Sequence, residues 1–309
     1  MVRRLAQNDI SYEKWNRCVD ASTHPLPYAY GWFLNAASPG WKALVENDYE
    51  SVLPLTHRKK FGIRYLHQPY FTQQLGIFSK HDLTRETAGS FANALVEEAR
   101  LIEINFNYGN GLVETLQLPR TKWEQRLTHH LDLNQPYDAL VKGYSGNRMR
   151  AVKKIKQSAA LVVEEKTHHW LAQMFAENKK NVLTKSDFDL LNRIIVAAKG
   201  NNCGTVLSVQ ENGERIAGQF LLHNHRYVIN LFAASTPRGR QLEAMSLLVD
   251  RALERFSNSP RVFDFEGSRI ESIAKFYRSF GGVPVPYWML RRNALPWPVR
   301  LLKQLKDGH

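Results

Sequence analysis

Cysteine is nearly missing from this chain. Its 309 residues hold two, Cys18 and Cys203, unclustered in the sequence. That excludes a disulfide framework and a structural zinc site. No apolar run is long enough to span a bilayer, and the start, MVRRLAQNDI, carries no apolar signal segment. The expectation is a cytoplasmic protein without an integral membrane span. Acid is scarce too: 29 Asp and Glu face 42 Lys and Arg, a formal net charge of +13. Such a balance suits anionic partners such as nucleotides, RNA, phosphorylated precursors or an anionic membrane surface, or simply a solvated basic face. A Walker loop, a dinucleotide fingerprint, H-E-x-x-H, C-x-x-C and a nucleophile elbow are all absent from the sequence. Their absence disfavours NTPases, dehydrogenases, zinc proteases and serine hydrolases. His223 and His225 form an H-x-H on one strand face, but no third ligand lies nearby, so no metal is expected.

The length suits two domains of ordinary size, each able to bury a core. An internal echo supports that division. Trp41–Lys60 reads as strand, turn, strand, followed by a third strand Tyr70–Phe78, a helix Glu86–Arg100 and a strand Leu101–Tyr108. Thr205–Asn224 again reads as strand, turn, strand, followed by Arg226–Ser235, the helix Leu242–Phe256 and the strand Arg261–Glu266. The turns match in character, Asn47–Asp48–Tyr49 beside Glu211–Asn212–Gly213. The expected domains are 1–134 and 135–309. The second opens on a basic stretch that turns helical near Gly146, and two further helices are expected over His169–Lys179 and Asp187–Lys199. The basic tail Arg291–Lys306, with Trp297, Leu301, Leu302 and Leu305, is expected to pack on its own domain.

Arg261–Gly282 carries the strongest chemical signal. Phe263 and Phe265 alternate with Asp264 and Glu266, so a strand would put both acids on one face and both rings on the other. Gly267 allows a turn, Ser268 is a candidate helix N-cap, and Glu271 falls three residues later, a capping box. Ile270, Ile273, Tyr277 and Phe280 recur at helical spacing, and Gly281 suits a left-handed stop. A carboxylate at the end of an α/β strand can take or hold the proton of an attacking amine, so Asp264 and Glu266 are the catalytic candidates. The backbone amides of Leu231, Phe232, Ala233 and Ala234 are oxyanion-hole candidates if their strand splays from its neighbour. Arg148, Arg150 and Lys153 are candidates for gripping substrate phosphates. Each has a bland alternative: the acids pair with Arg261 or Arg269, and the basic helix face is merely solvated.

Ala274–Gly281, AKFYRSFG, resembles the helix in which GNAT acyltransferases carry a tyrosine shortly before Phe-Gly. Tyr28–Trp32, HQPYFTQQLGIFS (His67–Ser79), YSGNRMRAVKK (Tyr144–Lys154) and FDFEGS (Phe263–Ser268) together resemble the FemAB-like branch of that superfamily. The resemblance implies an α/β fold with mixed sheets, two tandem GNAT-like domains packed together. It implies transfer of an acyl or aminoacyl group from acyl-CoA or aminoacyl-tRNA to an amine, in some members that of a peptidoglycan precursor. Partners are then a small-molecule or peptide amine and, with the second donor, tRNA. It gives Tyr277 a proton for the leaving group and sets Tyr30, Trp32, Gln73 and Gln74 around an acceptor groove in the first half. The second half, where the twin acids lie, takes the donor. The pyrophosphate loop it implies, of the Q/R-x-x-G-x-G/A kind, here reads STPRGRQLEA, with Gly239 as its one glycine, Arg238 and Arg240 beside it, and Glu243 near the phosphate position. No stretch is long enough for the helical arm of some tRNA-dependent members. These departures leave a rival reading open, a catalytically weak protein that binds an anionic ligand in the same cleft. A general RNA-binding module is the third reading, and it lacks an RNA motif.

Overall fold

The computed structural model describes residues 1–60, 62–178, 183–267 and 270–297. The chain divides into two compact units, residues 127–285 and residues 1–126 with 286–309. Compared with the expected 1–134 and 135–309, the first crossing falls inside the strand Thr121–Asp132, and the strand Val283–Asn293 returns to the first unit. Both crossings run through long strands; the first has no Gly or Pro to mark a boundary, whereas the second falls at Pro286.

In the second unit the strands lie in the order 127–132, Val262–Asp264, Tyr227–Ser235, Glu214–His223, Gly204–Glu211, Ala160–Glu164. All neighbours are antiparallel except Tyr227–Ser235 with Val262–Asp264. Asn212 and Gly213 both have positive φ, 51° and 83°, as a tight hairpin turn between right-twisted strands requires. Leu207 and Val209 share a core with Val249, Leu253 and Phe256 of the helix Ala244–Phe256, and with Val152 and Ile155 of the helix Gly146–Lys156. The opposite face carries the helix Lys185–Gly200. There a Cβ on Gly204, odd-even out of step with Leu207, would lie 3.2 Å from Ala198. One buried charge sits in this core. Asp250 is 1% exposed, accepts from the Tyr137 and Tyr144 hydroxyls at 2.7 and 3.0 Å, and pairs with Lys156 at 2.7 Å. Burial and Asp250 push the Tyr137 hydroxyl up to about 12.

His223 ends a core strand and shares a 3.0 Å hydrogen bond with Thr205. Burial, then the charges of Arg261 and Arg255, hold its pKa down to about 4, against 6.5 for a free imidazole. Below pH 6.5 the unfolded chain therefore binds the proton that the folded chain refuses. The stability from neutral His223 is complete above that pH and is lost as pH falls towards 4. His223→Gln should lose about 1–2 kcal/mol less than the wild type between pH 7 and pH 4.5 in urea unfolding. Equal losses in the two proteins would refute this.

The first unit has an antiparallel four-stranded sheet in the order Val2–Leu5, Lys42–Glu46, Ser51–Leu55, Phe78–Ser79. A second ladder runs His57–Lys60, Ile63–His67, Leu101–Asn105 and the end of Val283–Asn293, with the middle pair parallel. The helix Arg85–Glu98 starts on Thr84, whose hydroxyl accepts from the Thr87 amide at 3.1 Å, and it buries Phe91 and Leu95 against Leu44, Leu66 and Ile102.

The echo is complete in the second unit and broken in the first. The expected third strand, Tyr70–Phe78, survives only as Phe78–Ser79 and one bridge, Leu75 to Phe106. Side chains take the backbone groups that a sheet would have used. Gln68 donates to Thr72 O at 2.8 Å, Asn105 to Gln73 O at 2.7 Å, and Asn107 to Leu75 O and Ile77 O at 3.1 and 3.0 Å. Asn110 accepts from the Ile77 amide at 2.8 Å. Such local amide bonds compete directly with ladder bonds.

Candidate active site

The strand Tyr227–Ser235 is paired with Val262–Asp264 only from Tyr227 to Ile229. Beyond that point the two chains part, and the expected strand Arg261–Glu266 stops at Asp264. The cause is Asp264 itself. Its Oδ1 accepts from the Glu266 amide at 2.8 Å, closing a turn, and Glu266 takes a left-handed φ of 61°. On its other edge the strand slips register between Phe220–Phe232 and Leu221–Asn230, which leaves Leu231 as a bulge. Residues 230–235 thus have no ladder partner on the side of Asp264 among the described residues.

That gap is a cleft of about 530 Å³ within the second unit. Its floor is Asn230–Ser235. One wall is the helix Glu271–Arg278, through Ser272, Ile273, Phe276 and Tyr277. Glu266, Arg240, Met245 and Asn178 complete it. Of the sequence candidates, Glu266, Tyr277, Leu231, Phe232, Ala233 and Arg240 meet here.

The two acids do not share a face. Glu266 lines the cleft, whereas Asp264 is fully buried behind it. Asp264 accepts from Thr128 Oγ1 at 2.5 Å, and its Oδ2 lies 3.4 Å from His130 Nε2. The alternation that predicts a common face requires extended backbone through Glu266, and the Asp264 turn removes it. Phe263 and Phe265 do stay together, with ring centroids 4.8 Å apart. Tyr277 packs on Phe265 at 5.3 Å and beside His129 at 5.6 Å. Burial, then Glu266 and Asp264, raise its pKa well above the ordinary tyrosine value. Its hydroxyl stays protonated at working pH. The expected cap Ser268 and the pairing candidate Arg269 lie outside the described residues; the Gly281 stop is present, at φ 90°.

The candidate phosphate loop, 235–244, commits its two arginines differently. Arg238 points at Glu211 and holds it bidentately, at 2.8 and 2.7 Å. Arg240 donates to Ser235 O at 2.7 Å and Asn178 Oδ1 at 3.2 Å, at the cleft edge. Gly239 is buried against the Ile216 carbonyl, where an added Cβ would lie 2.1 Å from oxygen. Glu243 caps the helix Ala244–Phe256 with φ 54° and pairs with Arg148 at 3.2 Å.

Arg148 is committed to its own unit. It stacks over Phe276 at 4.4 Å and Phe280 at 5.0 Å and donates to Ser279 at 3.0 Å and to Ser246. Arg150 is exposed and donates to Asn147, and Lys153 is exposed on the same helix. In the first unit Gln74 is fully buried: its Oε1 accepts from the Tyr108 amide at 2.9 Å and its Nε2 donates to Gln73 at 2.9 Å. Tyr30 donates to Asp20 and stacks on the half-buried Trp32 with centroids 6.2 Å apart. Among the described residues no group of three His, Cys, Asp or Glu is placed to hold a metal ion. No helix among them is long and apolar enough to cross a membrane.

Sequence reasoning missed Asn178, Asn230, Met245, Ser272 and Phe276 on the cleft, and Thr128 and His130 behind it. One signal was present. Ile270 and Ile273 are 58% and 36% exposed on a short helix, more apolar surface than a closed core leaves.

Residues 146–269, which include the splayed strand, match the family model described as Acetyltransferase (GNAT) domain. Over nearly its whole length the chain has a mixed α/β fold like those of FemX and of a tandem GNAT protein. The crystal structure of FemX covers 97% of this chain and 99% of its own, with a TM-score of 0.71 at 12% identity. A tandem GNAT protein from the clavulanic acid biosynthesis pathway covers 96% and 99%, with a TM-score of 0.55 at 12% identity. L-PGS from Bacillus licheniformis covers 94% and 94%, with a TM-score of 0.53 at 10% identity. At these identities the likeness is one of fold. No curated protein sequence matches the chain.

Proposed function

We propose that this protein is an N-acyltransferase that moves an acyl or aminoacyl group from an activated carrier to an amine. The observation that carries the reading is the unpaired strand edge 230–235 facing Glu266 and Tyr277 across one cleft. Backbone N–H groups of Leu231–Ala234 polarise the donor carbonyl. Glu266 holds the incoming amine and takes its proton as the N–C bond forms. Tyr277 gives a proton to the leaving atom as the C–O or C–S bond breaks. Asp264 acts through Glu266, by fixing the turn that presents it.

Burial keeps the Tyr277 proton in place at working pH, so it is available to an oxygen leaving from an aminoacyl ester or a sulfur leaving from an acyl thioester. Acceptor binding by the first unit, through Tyr30, Trp32 and Gln73, completes the proposal; a cell-wall precursor amine fits the branch.

Among the described residues Arg240 is the cation lining the cleft, and Arg238 is closed on Glu211. Arg240→Ala should weaken donor binding about tenfold, while Arg238→Ala leaves it within about twofold. Calorimetric titration decides this, first with acetyl-CoA and then with aminoacyl-tRNA. Equal losses in both variants would put the phosphate elsewhere. A product acylated on nitrogen separates an enzyme from a protein that only binds an anionic ligand, and its absence with both donors would sink the proposal.

A further inference from the structure

The first unit has a basic cavity of its own, about 560 Å³, lined by Arg100, Arg120, Arg292, Leu295, Pro296 and Trp297 among others. The backbone brings the three arginines together. Arg100 immediately precedes the strand Leu101–Asn105, Arg120 precedes Thr121–Asp132, and Arg292 lies near the end of Val283–Asn293. The Ala294 amide donates to Arg100 O at 2.7 Å and the Asn293 amide to Arg120 O at 3.4 Å, pinning these ends side by side. Arg120 is held at a left-handed φ of 56°, an uncommon conformation for a side-chain-bearing residue.

Among the described residues no carboxylate lines this cavity. Elsewhere in the unit Arg4 is ion-paired with Glu98, and Arg291 with Glu103 and Glu124. Among the described residues Arg100 and Arg120 have no acidic partner. Arg292 donates one Nη1 bond to Pro119 O, and its Nε is buried with no hydrogen-bond partner. Burial, then the charge of Arg120, depress its pKa. Like charges gathered without a counter-charge raise the energy of the empty site, and a multiply charged oxyanion removes that cost. Guanidinium forks match phosphate oxygens in pairs. Trp297, 68% exposed, adds an apolar ring at the rim.

We propose that Arg100, Arg120 and Arg292 form a binding site for the phosphate group of an anionic ligand, with Trp297 against its less polar part. The site does not depend on the acyl-transfer reading. Its phosphate belongs either to a soluble phosphate ester or to a lipid headgroup, and two assays separate them. Inorganic pyrophosphate is titrated calorimetrically into the full chain, and sedimentation is measured with phosphatidylglycerol and phosphatidylcholine vesicles. The proteins are wild type, the exposed pair Arg100→Ala/Arg120→Ala, and Arg240→Ala. Pyrophosphate affinity should fall at least about tenfold in the double variant and survive in Arg240→Ala. Loss of pyrophosphate binding alone assigns a soluble ester. Added loss of sedimentation with the anionic vesicles assigns a lipid headgroup, and Trp297→Phe should then weaken sedimentation as well. The proposal is overturned if neither probe binds the wild type, if binding is unchanged in the double variant, or if Arg240→Ala abolishes it.

Discussion

Glu266→Gln lowers the transfer rate by about 10²–10⁴-fold, the usual loss on removing a positioned general base, with the unfolding midpoint nearly unchanged. Gln keeps the length and shape of the side chain and loses its capacity to take a proton. Glu266 sits at the cleft, outside any strand ladder or helix, and Gln fills the same volume there. Its left-handed φ of 61° is held by the Asp264 turn, which Glu266→Gln leaves in place. Asp264→Ala makes the opposite kind of change. It strips the acceptor from the fully buried Thr128 Oγ1 and from the half-buried Glu266 amide. Each orphaned donor costs about 1–3 kcal/mol, so that variant loses stability as well as rate. Single-turnover rates and urea midpoints for the two variants separate the roles. A Glu266→Gln enzyme that turns over at the wild-type rate would remove Glu266 from the chemistry.

What could be read from the sequence follows how local its causes are. The hairpin turn at Asn212–Gly213 needs two positive φ values, and those two residue types supply them. The helix Ala244–Phe256 announces itself by its apolar stripe, because that face meets the core whatever else happens. The helix Gly146–Lys156 likewise starts at Gly146, just after Ser145, whose hydroxyl accepts from the Arg148 amide at 3.3 Å. Where a side chain reaches across the fold, the pattern gives no warning. Asp264 and Glu266 read as one face until the Asp264 carboxylate takes the Glu266 amide. Tyr70–Phe78 reads as a strand until Gln68, Asn105 and Asn107 take its backbone carbonyls. Arg238 and Arg240 read as equivalent, and only Glu211 on a hairpin far back in the chain tells them apart. Arg148 reads as a phosphate grip or a merely solvated cation, yet two rings of the tyrosine helix region hold its guanidinium. The cleft's chemistry is thus legible as residue types. Its geometry is set by side-chain bonds between segments that no spacing rule connects.

Gly239→Ala is expected to unfold the second unit more readily rather than to weaken donor binding alone. A glycine in a phosphate loop is usually kept so that the ligand can approach the backbone. Here the approach is made by the protein itself. An added Cβ would lie 2.1 Å from Ile216 O and 2.5 Å from Ser235 Oγ. The turn cannot drift away cheaply, because it is tied to that same carbonyl. The Thr236 amide donates to Ile216 O at 2.9 Å and its hydroxyl at 3.1 Å, and that hydroxyl also accepts from the Gly239 amide at 3.1 Å. Relieving the clash therefore breaks the clamp that starts the short helix Pro237–Gln241 and positions Arg240. Overpacking of this kind costs about 3 kcal/mol, at the upper end of the common range. In a unit of this size that lowers the thermal midpoint by roughly 6–12 °C. A phosphate-contact role predicts the reverse, an unchanged midpoint with donor affinity lost. Thermal unfolding and donor titration of the one variant distinguish them, and the second result would return Gly239 to the ligand.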